Sequence, residues 1–351
     1  MLTWCLLSSL LLGQTAAPPA PPPPAPVVIY AVGDIAIVGN AEFELRGRYD
    51  EAFAQIKPIL ADRDLAICNL EAPLTRRGQA MEGKEFTFRA RPESLAAIKA
   101  AGFNVFGLAN NHMLDFGAVG IKDTLASLQA AKVYYAGAGD NLKEARRPAR
   151  VELAERGSSV AVLSYSMTFP EAFFATRFQP GTAPGNPEYV ARDVAAARKD
   201  SAIVVVSSHW SAELLQEAKD YQIETARRAI ENGARLVIGH HPHVLQGVEF
   251  YQGGVIFYSL GNFVFGSYSR HSRTSIITRV EFSASGELLK VEAIPVWVFN
   301  PEVKFRPRVL SGQEAEAVAQ ELRDLSKPYG TKVDYDPALG SIVFSPASPN
   351  P

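Results

Sequence analysis

Cysteine is nearly absent from this chain: Cys5 and Cys68 are the only two in 351 residues. Cys5 falls in an N-terminal stretch expected to be removed, so the mature chain would hold one thiol and no internal disulfide. Cys68 follows Leu65, Ala66 and Ile67, an apolar run that predicts a buried, inert thiol. Charge of one sign is also missing. The net charge is −2 with no block of like charge, which leaves a nucleic-acid partner without electrostatic support. An anionic substrate stays compatible with that neutrality, because a bound metal can supply positive charge locally. No Gly-rich nucleotide-binding loop with Ser or Thr after its lysine is present, since the one matching spacing, Gly78 to Gly83-Lys84, is followed by Glu85, which argues against nucleotide-driven ligation. The N-terminal apolar run, Leu2 to Leu12, is too short for a comfortable membrane-spanning helix.

What is present begins with targeting. Leu2–Leu12 followed by Thr15, Ala16 and Ala17 reads as a secretory signal peptide over residues 1–17, placing the protein in the periplasm or outside the cell. No Lys or Arg precedes the apolar run, so a start further upstream and an uncleaved membrane anchor are the alternatives. Seven prolines fill the nine positions Pro18–Pro26, an extended polyproline linker over 18–26. One folded domain is expected over 27–345, with a short tail at 346–351. A hydrophobic content of 47% is enough to give it a large core.

From Val27 onward short apolar runs alternate with amphipathic stretches. Strands are predicted at Val27–Val32, Asp64–Asn69, Val105–Ala109, Val133–Ala136, Val160–Tyr165, Ile203–Ser207, Leu236–Gly239 and Val255–Ser259. Helices are predicted at Tyr49–Leu60, Pro92–Ala101, Val119–Ala131, Pro187–Lys199 and Leu214–Asn232. That alternation argues for an α/β fold with helices on both faces of its sheets. The C-terminal part changes character, with strands at Ser275–Phe282 and Leu288–Val298 and a late helix at Gln313–Leu325.

The metal-capable residues fall where the strands end. Asp34 follows the first strand, Asn69 and Glu71 the second, and Asn110, Asn111 and His112 the third. His209 follows Ile203–Ser208, and His240-His241-Pro242-His243 follows Leu236–Gly239. Five of the six histidines sit at such ends. Ligands of α/β sheets bind beyond the carboxyl ends of the strands. A lone histidine there is more often a core or capped residue than a ligand. Five strand ends in phase bring imidazole, carboxylate and amide oxygen to one edge, a donor set suited to Mn, Fe, Zn or Mg.

Gly33-Asp34, Asn69-Leu70-Glu71, Ala109–His112 with Asp115 and Gly117, His209-Trp210, Gly239–Gln246 and Tyr258–Phe263 together resemble the CapA family of bacterial capsule-synthesis and poly-γ-glutamate biosynthesis proteins. The resemblance covers about Val27 to Phe344. That family is similar to the calcineurin-like metallophosphatases, which implies a four-layer α-β-β-α sandwich. By that resemblance Asp34, Glu71, Asn111, His209, His241 and His243 bind one or two divalent ions, with Glu71 in the bridging position. His112 is the implied non-ligand histidine beside them that protonates or steadies the leaving group. Two departures stand out: Ala36 replaces the histidine usual two residues after the first aspartate, and Ser211 replaces a customary glycine after His209-Trp210.

The expected chemistry is metal-dependent hydrolysis, with His112 as proton donor and Asp115 either orienting it or capping the following helix. Asn69, Asn110, Glu213, His240 and Asn262 are candidates for substrate contact. Trp210 and Tyr258 either stack on substrate or pack in the core, and Arg89 is a candidate anion contact. The expected substrate is an anionic small molecule or envelope polymer, with membrane-bound capsule-synthesis partners implied by the resemblance. The competing reading is a capsule-polymer assembly, transport or anchoring component on the same scaffold. Ala36 favours that reading and His112 favours the enzyme. An amide-bond role on γ-glutamyl polymer is a third.

Overall fold

The computed structural model describes residues 25–347. The expected signal segment, the linker up to residue 24 and the tail from residue 348 lie outside the described residues. Among the described residues no helix is long and apolar enough to cross a membrane.

Apart from three two-residue strands, fifteen strands frame the described residues. They are β1 (Val27–Ala36), β2 (Leu65–Leu70), β3 (Val105–Gly107), β4 (Tyr134–Ala136), β5 (Ala149–Leu153), β6 (Ser158–Ser166), β7 (Ile203–His209) and β8 (Leu236–His240), then β9 (Val248–Tyr251), β10 (Gly254–Phe257), β11 (Asn262–Phe265), β12 (Thr274–Phe282), β13 (Leu288–Trp297), β14 (Thr331–Asp336) and β15 (Ser341–Pro346). The main helices are α1 (Ser94–Ala101), α2 (Gly117–Ala130), α3 (Pro187–Arg198), α4 (Asp220–Glu231) and α5 (Gly312–Ser326). The first sheet runs β14-β15-β13-β12-β1-β2-β3-β4, and β11 adds to the far end of β1. The second runs β9-β10-β8-β7-β6-β5. Strands β1 to β4 are parallel to one another, as are β6, β7, β8 and β10.

Alternation along the strands explains the layering. Val27, Ile29 and Ala31 of β1 pack with Ile203 and Val205 of β7 and Leu236 and Ile238 of β8, so this cluster lies between the sheets. The intervening Val28, Tyr30 and Val32 turn outward to meet Leu95 and Ile98 of α1 and Ile121 and Leu125 of α2. On the other side Val204 and Val206 meet Val190 and Val194 of α3 and Ala226 and Ala229 of α4. The result is helix, sheet, sheet, helix. Helix α5 adds Ala315, Val318, Ala319 and Leu322 to the core between the sheets.

Two helix expectations need correction. Tyr49–Leu60 is two short 3-10 turns, Tyr49–Phe53 and Ile59–Asp62. Pro58 lies between them, lacks an N–H, and disfavours helical backbone before it. The helix expected from Leu214 begins only at Asp220. Ser211 and Leu214 have φ of +77° and +61°, and the Leu214 N–H donates to the Pro242 carbonyl at 2.8 Å. That loop is drawn away from helical geometry toward the histidine cluster. Strand β1 also continues past Val32 to Ala36, because β11 pairs with its end.

Candidate metal centre

Register sets the site. Asp34 on β1 stands opposite Asn69 on β2 and Asn262 on β11, and His209 stands opposite His240 at the ends of β7 and β8. The first sheet thus delivers Asp34 and Glu71 with the loop bearing Asn111 and His112. The second delivers the imidazoles of His209, His240, His241 and His243. Two glycines permit the close packing underneath. A Cβ on Gly239 would lie 1.8 Å from the Tyr258 carbonyl oxygen, and one on Gly33 would lie 2.0 Å from that of Gly261.

Asp34 is fully buried and surrounded by donors. His240 Nδ1 lies 3.0 Å from its Oδ1, and His243 Nδ1 lies 3.2 Å from its Oδ2. The Asn69 amide donates to Oδ1 at 2.9 Å, and the His241 N–H donates to Oδ2 at 3.2 Å. Burial alone would raise this carboxyl's pKa, but the bonds from His240 and His243 outweigh it and hold the group well below the usual range. His243 Nδ1 also lies 2.8 Å from Asn262 Oδ1. Both of its neighbours accept, so Nδ1 donates, which in the neutral ring leaves a lone pair on Nε2.

That lone pair faces Glu71. His243 Nε2, His209 Nε2 and His112 Nε2 lie 3.8, 3.7 and 4.0 Å from Glu71 Oε1. These spacings are too long for hydrogen bonds. They are slightly wider than the roughly 3–3.5 Å between donors sharing an ion at about 2.1 Å. Glu71 Oε1 is buried without a hydrogen-bond partner, as are His241 Nδ1 and His240 Nε2. A buried, unpartnered carboxylate oxygen is costly unless a cation meets it. Burial and the nearby Asp34 charge push the Glu71 pKa well up in the absence of such a cation. Burial first, then the neighbouring His243, lowers His241 to about 3, and His209 is shifted down chiefly by burial. Neutral imidazole is the form that ligates metal. Glu71 belongs to two donor groups, with His241 and His243 and with Asp34 and His209, each with its donor atoms within 4.8 Å of one another. The donor set fits a divalent ion, and Glu71 is the residue common to both groups.

Backbone strain concentrates in the same place. His241 and His243 adopt φ of +93° and +59°, which non-glycine residues rarely take. The turn through Pro242 holds both rings inward, with the His241 and His243 centroids 5.8 Å apart and that of His209 4.7 Å from His241. Ser211 is strained likewise at +77°, which explains why glycine would suit that position.

The other sequence candidates separate by burial. Asn69 and Asn110 are buried scaffold: the Asn110 amide donates to Asn69 Oδ1 at 3.1 Å, and the Asn69 amide donates on to Glu71 Oε2 at 3.0 Å. His240 is buried against Asp34, away from the cavity surface. Trp210 is fully buried and donates from its indole N–H to the Tyr258 carbonyl at 2.9 Å, while the Tyr258 hydroxyl donates to Glu249. Both aromatics are core residues, which corrects the substrate-stacking expectation for Trp210. Arg89 lies over the Phe116 ring at 4.3 Å and does not line the cavity, because its neighbours Phe88 and Ala90 are the ones turned inward. Glu213, Asn262, Asn111, His112 and His243 do line a cavity of about 570 Å³ above the donors. Ala36 is buried in apolar packing in register with Phe265.

Asp115 does not cap α2, whose first turn is preceded by Phe116 without a side-chain cap. Its carboxylate accepts instead from His112 Nδ1 at 2.6 Å, from the Phe88 N–H at 2.6 Å and from Lys84 Nζ. Lys84 Nζ also donates to the Asn111 carbonyl at 2.6 Å. Phe88 stacks on the His112 ring at 3.8 Å between centroids. Lys84 and Phe88 are the participants missed from the sequence. No local signal marks Lys84, whose partner Asp115 is 31 residues away. Burial lowers both the Lys84 ammonium and His112, the latter to about 4.

The sequence model of the bacterial capsule synthesis protein PGA_cap family matches residues 28–267. The chain belongs to that family. This PGA_cap protein is 33% identical over 292 residues to the capsule biosynthesis protein CapA of Bacillus anthracis, covering 81% of this chain and 70% of the relative. It is 34% identical over 258 residues to the PGA biosynthesis protein CapA of Bacillus subtilis strain 168, covering 73% and 67%. Among solved structures it is similar to the NAD nucleotidase NadN of Haemophilus influenzae, with a TM-score of 0.50 and 12% identity over 86% of this chain and 56% of that one. At that identity the likeness is one of fold. The PGA_cap protein has the four-layer sandwich of the metallophosphatase type.

Proposed function

We propose that this PGA_cap protein is an exported, metal-dependent hydrolase of the phosphoesterase type, acting in capsule, poly-γ-glutamate or related envelope-polymer metabolism. The observation that carries the reading is Glu71 Oε1, a buried carboxylate oxygen without a partner, ringed by three imidazole nitrogens. Asp34, Glu71, Asn111, His209, His241 and His243 would hold one or two ions. A divalent ion held by them would supply polarisation of a phosphoryl oxygen and a lowered pKa for water near neutral pH.

The residues around the ion site have distinct tasks. Water adds to phosphorus, the bond from phosphorus to the organic oxygen breaks, and that oxygen takes a proton. His112 stands where it can move that proton at Nε2, while Asp115 holds Nδ1–H and stabilises charge that develops on the ring. Asn69 and Asn110 fix the Asp34 and Glu71 carboxylates, and Asn262 fixes His243. Phe88 covers one face of His112 and keeps water from it.

A second reading, a non-catalytic assembly component, draws on Ala36, which puts apolar packing where a further donor would extend the site. The experiment separating the two is elemental analysis of purified protein, wild type beside His241→Ala and His243→Ala, with a phosphoester screen. Stoichiometric metal lost in both variants, together with turnover, supports the hydrolase. Metal without turnover on any phosphoester supports the assembly role.

A further inference from the structure

Ten large apolar side chains stand exposed among the described residues, and three of them rim the cavity above the donor cluster. They are Phe86 at 60% exposure, Tyr268 at 49% and Leu214 at 46%. They come from three separate loops. Exposed apolar groups converging on one cavity mark a surface that gains by being covered. The apolar wall continues inward: Phe88 stacks on His112, and Phe265 lies 4.6 Å from the His243 ring between centroids. The cavity therefore has a polar floor of Asn111, His112, His243 and Asn262 under an aromatic and aliphatic upper wall.

The charge lining is the second observation. The cavity holds one Lys, Lys84, already bound to Asp115, against the carboxylates of Glu85 and Glu213. A long polycarboxylate needs a basic track to offset its repulsion, and this wall supplies two anions instead. The only place suited to a negative group is the floor.

Resting on the phosphoesterase reading above, we infer that the cavity takes a small phosphate ester whose organic part is a ring or similarly flat apolar body. The phosphate meets the floor and the ring lies between Phe86, Tyr268 and Leu214. A poly-γ-glutamate strand is not its occupant.

The test uses the full chain loaded with Mn, titrated calorimetrically with two non-hydrolysable probes, phenylphosphonate and methylphosphonate. Phenylphosphonate is expected to bind about tenfold tighter or more, from burial of its ring. Phe86→Ala and Tyr268→Ala should each erode that preference while leaving methylphosphonate affinity unchanged. Both side chains are exposed, so the variants should fold, and a thermal melt checks this. Poly-γ-glutamate should not displace phenylphosphonate. Equal binding of the two probes, a preference untouched by both variants, or displacement by the polymer would overturn the inference and leave the phosphoesterase reading standing. Failure of the metal-loaded protein to bind either probe would overturn both.

Discussion

Lys84 ties together two parts of the site with one ammonium group, the Asn111 carbonyl and the Asp115 carboxylate, and lies beside the His112 ring that Asp115 holds. It makes no hydrogen bond to the side chains of the six proposed metal-binding residues, so its loss should separate positioning from metal binding. Lys84→Met is expected to keep full metal content and to lower kcat on a phosphoester by about tenfold or more, with KM little changed. Steady-state kinetics beside elemental analysis checks this, and loss of metal would show that Lys84 acts on the site's assembly instead. Ser211 gives a second test. Its φ of +77° is a conformation glycine adopts at no steric cost. Ser211→Gly is therefore expected to leave stability unchanged or raise it by up to about 1 kcal/mol in a denaturant melt.

Between strands, the site depends on close approach more than on any single contact. Strand β8 presses against the segment at Tyr258 so tightly that Gly239→Ala would drive a Cβ into backbone atoms. Backbone cannot give way as a flexible side chain does, so a loss of about 4 kcal/mol or more is expected, read as a failed or much lowered thermal transition. Trp210 and Arg89 form a contrasting pair. Trp210 fills the core behind β7, and Trp210→Ala should cost about 3–5 kcal/mol. Arg89 is exposed, and Arg89→Ala should stay within about 0.5 kcal/mol and leave phosphonate binding intact. Urea melts of the two variants decide between a core and a substrate role for each.

Across the whole molecule, the proposed ion ties two sheets together. Asp34, Glu71 and Asn111 belong to the first sheet and its loops, and His209, His241 and His243 to the second. An ion held by both binds only the folded chain, so it should stabilise by about 3–4 kcal/mol when supplied at a hundred to a thousand times its dissociation constant. Chelation is expected to lower the melting temperature, and readdition of Mn or Zn to restore it. A melting temperature indifferent to chelator would argue against a bridging ion.

Periodicity and strand-end chemistry were legible in the sequence because both are local. Alternating Val, Ile and Ala in β1 and β7 marked strands buried on both faces. Asp34, Glu71, Asn111, His209 and the His240–His243 run stood out because metal-capable side chains recur where apolar runs stop. Strands β5, β9, β11, β14 and β15 were not legible, being short or at or next to sheet edges where pairing rather than apolar pattern defines them. Residue types and their order along the chain thus determined the α/β class, the family and the candidate donor set. The tertiary structure alone decided that Trp210 packs inside, that Arg89 turns away, that Asp115 serves His112 rather than a helix, and that Lys84 completes that group. Each of these depends on which segment packs over which across tens of residues, and local spacing carries no record of that.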